Sequence, residues 1–144
     1  CHIKTCSLIA NVLLKQMAVD AGVAEVVLLR DGLLVEGGSS NVFIVRDGAI
    51  LAPPPAENML TGITYDVVLE LARRHGLALE QRAVTEDDLR AADEVWITSS
   101  SKEILAVVEL DGRPVGNGDQ LLFHANIFAF TCRHLTHLAV EHGH

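Results

Sequence analysis

Lys4, Glu36 and two short hydroxyl-rich runs are the groups of this sequence whose types and order could do chemistry together. Lys4 lies between Ile3 and Thr5-Cys6. A lysine near a chain end is ordinarily a solvated charge. Taken out of water, it loses its preference for the ammonium form and becomes an amine nucleophile. Glu36 closes an apolar run and is followed by Gly37-Gly38 and Ser39-Ser40-Asn41. Glycines let backbone approach something flat or bulky, and the small polar residues offer hydrogen bonds without filling space. In isolation the stretch also reads as a plain loop. However, the turns on either side are already supplied by Asp31-Gly32 and Asp47-Gly48. Thr61-Gly62-Ile63-Thr64 opens a helix, where free backbone N–H groups and the positive dipole end favour an anion such as phosphate. The same residues would serve as an ordinary N-cap. Ser99-Ser100-Ser101 follows a strand and adds donors, or forms a surface loop. Together these residues supply an amine, a carboxylate and two cups for an anion.

The elements that must position them follow from periodicity. Leu8, Ile9, Val12, Leu13 and Met17 fall at helical spacing. That predicts a helix with these residues on its buried face, capped by Ser7 and stopped at Gly22, with Lys4 just ahead of it. Ala24 to Arg30, Leu33 to Glu36, Asn41 to Arg46 and Ala49 to Ala52 read as strands of a four-stranded meander. Pro53-Pro54-Pro55 ends the sheet. A second helix carries Ile63, Val67, Val68, Leu71 and Ala72 on its apolar face and stops at His75-Gly76. Leu77 to Val84 is a strand. Thr85 caps a short helix with carboxylates in its first turn, ending near Asp93. Glu94 to Thr98 is a strand, and Ile104 to Leu110 with Arg113 to Val115 flank an Asp111-Gly112 hairpin. After Gly118 the composition turns rich in histidine and phenylalanine, with a helix expected from about Leu121.

The totals exclude several classes. The 144 residues suffice for one domain with a core. A net charge of −8 with scattered Lys and Arg argues against a nucleic-acid surface. No apolar run approaches the roughly 18 residues of a membrane span. Three cysteines, Cys1, Cys6 and Cys132, are too few for a secreted disulfide framework and fit a reducing cytosol. A metal site on His134, His137, His142 and His144 lacks well-placed acidic or thiol partners, and no metal is expected.

Four segments, in order, carry a family resemblance. These are Ile3-Lys4 ahead of S-L-I-A-N-V-L-L-K-Q, E-G-G-S-S-N-V-F from Glu36 to Phe43, L-T-G-I-T-Y-D-V-V from Leu60 to Val68, and D-E-V-W-I-T-S-S-S-K-E from Asp93 to Glu103. The sequence resembles class IV aminotransferases, the fold-type IV pyridoxal phosphate enzymes, and among them D-amino-acid aminotransferases. That cofactor needs a lysine for covalent attachment, an acid opposite its pyridine nitrogen, and anchors for its phosphate. The resemblance implies that Lys4 is the attachment and proton-shuttling residue and that Glu36 keeps the ring nitrogen protonated. It implies that Leu60 packs on the ring, that Gly62, Ile63, Thr64, Ser99 and Ser100 hold the phosphate, that Ser40 and Asn41 line the ring edge, and that Ser101 lies near the substrate. The implied fold is α+β, a predominantly antiparallel or mixed sheet curling into a barrel-like core with flanking helices.

The resemblance covers roughly residues 1 to 118, leaving residues 119 to 144 as a divergent tail. The smaller N-terminal domain of the family is missing, so the chain reads as the large C-terminal domain of a longer enzyme. The implied reaction is transamination between a D-amino acid, such as D-alanine, and a 2-oxo acid, by a cytoplasmic homodimer. Aminodeoxychorismate lyase and branched-chain aminotransferase chemistry stay open on the same Lys and Glu machinery. So does a catalytically silent domain that binds cofactor or pairs with a partner chain.

Overall fold

Three Asp-Gly pairs set the hairpins. Asp31, Asp47 and Asp111 take φ values of 52°, 51° and 50°, and the glycine after each is also left-handed. Two consecutive residues at positive φ make the tight turn whose twist matches paired strands. The computed structural model describes residues 2–55, 62–99, 103–116 and 136–143; the side chains of 2–8, 10, 103, 136–139 and 141–143 are left out of the description. Three helices, α1 (His2–Ala21), α2 (Ile63–Arg74) and α3 (Glu86–Arg90), accompany nine strands among the described residues. The strands are β1 (Glu25–Arg30), β2 (Leu33–Gly37), β3 (Asn41–Arg46), β4 (Ala49–Ala52), β5 (Leu79–Gln81), β6 (Glu94–Ser99), β7 (Glu103–Leu110), β8 (Arg113–Pro114) and β9 (Thr136–Gly143).

All nine join one mixed sheet in the order β2-β1-β9-β7-β6-β3-β4-β5, with β8 beside β7. This is the α+β class expected, with one difference. No ladder among the described residues closes the sheet into a barrel. Strand β2, at one end of the path, makes a single bridge from Leu33 to Thr85, which lies beyond β5; the Leu34 N–H donates to the Val84 carbonyl at 2.8 Å and the Glu86 N–H to the Gly32 carbonyl at 3.0 Å. The curl nevertheless creates an inside. Val27, Leu29, Leu34, Val42, Ile44, Leu51, Val95, Ile97 and Val107 pack there with Val84, Leu89 and Ala92. The alternate residues of β3 and β6 point outward. Phe43, Val45 and Trp96 pack there under Tyr65, Val68, Leu69 and Ala72 of α2. Phe43 and Tyr65 stack with ring centroids 5.0 Å apart.

Several expectations are corrected. The four-stranded meander splits into two hairpins, β1-β2 and β3-β4, because β1 pairs in parallel with β9 and β3 pairs with β6. Long-range pairing thus displaces the neighbour in sequence. The strand expected over 77–84 shrinks to β5, parallel to β4. The first helix begins at His2 and not after Ser7, so Lys4 lies within it. Its packing face also differs. Leu14 and Ala18 are buried against Val26, while Ile9, Val12, Leu13 and Met17 are exposed. The reason is visible at Gly38, whose missing side chain lets the Leu14 Cβ approach, and an added Cβ there would sit 3.2 Å from it. On α2, Ile63 and Val67 are exposed, and Tyr65 and Leu69 take their place in the core. The helix expected from Leu121 falls largely outside the described residues, while Thr136–Gly143 is strand β9 between β1 and β7. The α3 cap forms as expected. The Thr85 hydroxyl accepts from the Asp88 N–H at 3.1 Å, and the Asp88 carboxylate accepts from the Thr85 N–H.

Candidate active site

The glycine-serine stretch is a tight reversal. Leu33 to Gly37 runs antiparallel to β1, with Glu36 opposite Leu28. The Gly37 N–H then donates to the Ser40 carbonyl at 2.7 Å, and the Gly38 N–H donates to the Val26 carbonyl at 3.0 Å. Space is tight at Gly37, where an added Cβ would force the Ser40 hydroxyl to move and would crowd Glu25 and the Ser40 carbonyl. Glu25, buried on β1, secures the tip: its Oε1 accepts from the Ser39 N–H at 2.5 Å and the Ser39 hydroxyl at 3.2 Å.

From this reversal the chain enters β3 at Asn41, which lies directly opposite Thr98 of β6. The Asn41 Oδ1 accepts from the Gly62 N–H at 3.3 Å and so ties β3 to the start of α2. Gly62 provides no side-chain cap, so the first amides of α2 are not consumed by one. Tyr65 locks that helix end from within: its hydroxyl donates to the Pro53 carbonyl at 2.6 Å, and burial raises its pKa above the ordinary phenol value. With Tyr65 pointing into the core, its neighbour Thr64 is left half-buried at the surface.

These elements enclose a cleft of about 250 Å³ between α1, the reversal, the N-terminus of α2 and the ends of β3 and β6. Glu36, Ser40, Asn41, Gly62, Thr64 and Ser99 line it. All six were singled out from sequence. Gly37, Ser39, Asn11 and Thr98 are the other lining residues among those described. The Ile63 side chain is 85% exposed and does not line the cleft. Leu60, Ser100 and Ser101 lie outside the described residues, and of Lys4 only the backbone is described. Lys4 stands two helical turns before Asn11 in α1. Asn11 and Thr98 escaped the sequence reading. The available signals were a polar residue interrupting an apolar helix and a threonine ending the buried V-W-I strand.

The lining suits a group that accepts hydrogen bonds, such as an anion at the N-terminus of α2. The Ser40 Oγ and Thr98 Oγ1 are buried and have no hydrogen-bond partner among the described residues. Buried hydroxyls are almost always partnered, so two orphans facing one cleft mark donors awaiting a ligand. One carboxylate, Glu36, stands among them, 8% exposed.

Comparison with known proteins decides the family. The model of the class IV amino-transferases matches residues 1–110. The chain belongs to the class IV aminotransferase family. A D-alanine aminotransferase of Bacillus licheniformis is 44% identical over 118 residues, covering 82% of this chain and 42% of that protein. Among solved structures, the branched-chain amino acid aminotransferase of Escherichia coli superposes with a TM-score of 0.78 at 31% identity, covering 83% of this chain and 41% of that one. A T.th. branched-chain amino acid aminotransferase, solved with pyridoxamine 5'-phosphate, gives a TM-score of 0.75 at 36% identity, covering 81% and 39%. The chain therefore spans about two-fifths of the length of these class IV relatives. Class IV aminotransferases are pyridoxal phosphate enzymes.

Proposed function

We propose that this chain is the cofactor-binding part of a pyridoxal phosphate-dependent aminotransferase that moves an amino group between a D-amino acid, such as D-alanine, and a 2-oxo acid. The observation that carries the reading is the convergence of Glu36, Ser40, Asn41, Gly62, Thr64 and Ser99 on one cleft from four separate elements. The cofactor, when bound, supplies an electron sink for the amino acid's α-carbon. Glu36 is the acid for the ring nitrogen, holding a proton there because its buried carboxylate favours a cationic neighbour. Ser40 and Asn41 bound the ring edge. Gly62, Ile63 and Thr64 offer the α2 amides and a hydroxyl to the phosphate, with Ser99 and Ser100 opposite. Lys4 is the attachment amine, Leu60 packs on the ring, and Ser101 lies toward the substrate. The family match over residues 1–110 supports taking residues 1–118 as this unit.

The D-amino-acid preference is supported by the D-alanine aminotransferase at 44% identity. Branched-chain L-amino acids are the second reading, supported by the structural likeness to branched-chain enzymes. Assembly as a homodimer is supported by the exposed apolar side chains of α1, among them Ile9, Leu13 and Val19. The cysteine count supports a cytoplasmic setting.

The direct test is incubation of the chain with pyridoxal phosphate, borohydride reduction and peptide mapping. A phosphopyridoxyl label confined to Lys4 and lost in Glu36→Ala supports the reading. Label spread over Lys15 and Lys102, or none, overturns it. Assays of D-alanine and L-leucine with 2-oxoglutarate, run on the chain and on a longer protein containing it, then choose between the substrate classes.

A further inference from the structure

Thr98 stands apart from the residues that sequence reasoning assigned to the cleft. It is 1% exposed, yet its Oγ1 has no hydrogen-bond partner among the described residues. Its backbone sits between Asn41 of β3 and Ile104 of β7 in an unbroken ladder. Trp96, two residues earlier on the same face, packs in the core beneath α2. Where that core ends, Thr98 lines the cleft beside Asn41, Ser99 and Ser40. A valine would fill the same space, and Ile104, its partner on β7, and Trp96 on the same face both belong to the core beneath α2. The other buried polar group on this face of β6, Glu94, differs in accepting a hydrogen bond from the Trp96 indole at 2.9 Å. A hydroxyl retained at Thr98 carries a desolvation cost that nothing among the described residues offsets.

We propose that Thr98 is a cofactor-contacting residue whose hydroxyl donates to an anionic oxygen of pyridoxal phosphate, either on the phosphate or on the ring. The inference rests on the cofactor reading above. It predicts opposite signs for two properties of one variant. Thr98→Val removes the orphan donor without changing shape, so the cofactor-free chain keeps its melting temperature or gains a few degrees. The same variant binds pyridoxal phosphate more weakly by roughly ten- to a hundredfold, the range for a lost hydrogen bond to a charged group. Thr98→Ser keeps the hydroxyl and restores affinity.

The experiment measures pyridoxal phosphate binding to the 144-residue chain by quenching of Trp96, its single tryptophan, together with melting of the cofactor-free forms. Weaker binding by Thr98→Val at undiminished stability, with rescue by Thr98→Ser, supports the assignment. Repeating the titration with pyridoxal then separates the sources: a loss that persists points to the ring oxygen, and one confined to the phosphorylated form points to the phosphate. Wild-type affinity in Thr98→Val overturns the assignment. So does a joint fall in affinity and stability that serine does not repair, since that is a packing defect. A wild-type chain that binds no pyridoxal phosphate overturns the cofactor reading itself, and the assignment with it.

Discussion

Glu25 and Ser39 are joined across the reversal by two hydrogen bonds, the Ser39 N–H at 2.5 Å and its hydroxyl at 3.2 Å, both to one carboxylate oxygen of Glu25. A buried acid on β1 thus holds the loop that follows Glu36, though the two acids lie eleven positions apart in the chain. Hydrogen bonds to a charged acceptor contribute about 1.5–3 kcal/mol each, and water can partly replace Glu25 because Ser39 is exposed. Glu25→Ala should cost about 1–2 kcal/mol of stability by urea denaturation, with weaker cofactor binding as the loop loosens. Glu25→Gln keeps an acceptor and should recover most of both. Equal effects of the two substitutions on binding would show that the loop needs the charge and not the bond.

Gly37 leaves little room for a side chain in the same loop. An added Cβ would collide with the Ser40 hydroxyl and lie 3.2 Å from the Ser40 carbonyl oxygen, which the backbone holds in place. Gly37→Ala should lose about 1–3 kcal/mol and displace Ser40 from the cleft. Gly32→Ala meets open space and is strained only by its φ of +73°, so it should cost about 1 kcal/mol and leave cofactor binding unchanged. Denaturation and cofactor titration of the two variants separate these effects.

Asp88 links α3 to β3 and to the residue that follows β5. It accepts from Arg46 at 2.6 Å and from Arg82 at 2.9 Å, and also from the Thr85 N–H. The Arg82 guanidinium, followed by the bonds to Thr85, holds its carboxyl well below the usual carboxylate range. Because the folded pKa is depressed, the stabilisation is complete at neutral pH and is lost as pH falls below the unfolded value near 4. Both arginine side chains are more than a third exposed, so screening limits the contribution to on the order of 1–2 kcal/mol. Asp88→Asn should lower stability at pH 7 and flatten its fall between about pH 5 and 3. An unchanged acid limb in urea titrations at several pH values would refute the linkage.

Tyr65 fixes the start of α2 through the Pro53 carbonyl. Tyr65→Phe keeps the stacking with Phe43 but leaves that carbonyl without its donor. The expected cost is about 1–2 kcal/mol, with a larger proportional loss of cofactor affinity than of stability, because Gly62 and Thr64 ride on the same turn. Calorimetry with and without pyridoxal phosphate measures both.

The exposed side chains of α1 offer a test of assembly. Ile9 and Leu13 are 63% and 60% exposed. Replacing both by glutamate should leave the fold intact, since neither belongs to the core, and, if the proposed homodimer forms through this face, should abolish its concentration-dependent self-association in sedimentation. Persistence of the same association would place the contact elsewhere.

Local features were legible in the residues themselves. The Asp-Gly pairs specify left-handed turns wherever they occur, Thr85 and Asp88 form a cap within four residues, and period-two runs announce strands. The four family segments carried Glu36, Ser40, Asn41, Gly62, Thr64 and Ser99, because each lies in a short stretch whose local chemistry is unusual. What partners those stretches take is a different matter. The ladder between β3 and β6 sets Asn41 opposite Thr98 across more than fifty residues of chain, and nothing near either residue encodes that register. Glu25 reads locally as the polar first residue of a strand, and becomes a brace only when β1 and β2 bring Ser39 over it. The spacing of α1 announced an apolar stripe correctly but not which stripe would be buried, since that was decided by the access Gly38 allows to Leu14. Strand β9 enters between β1 and β7 by pairing in parallel with both. Periodicity marks where a strand is, and only the free energy of the assembled sheet decides beside which strand it lies.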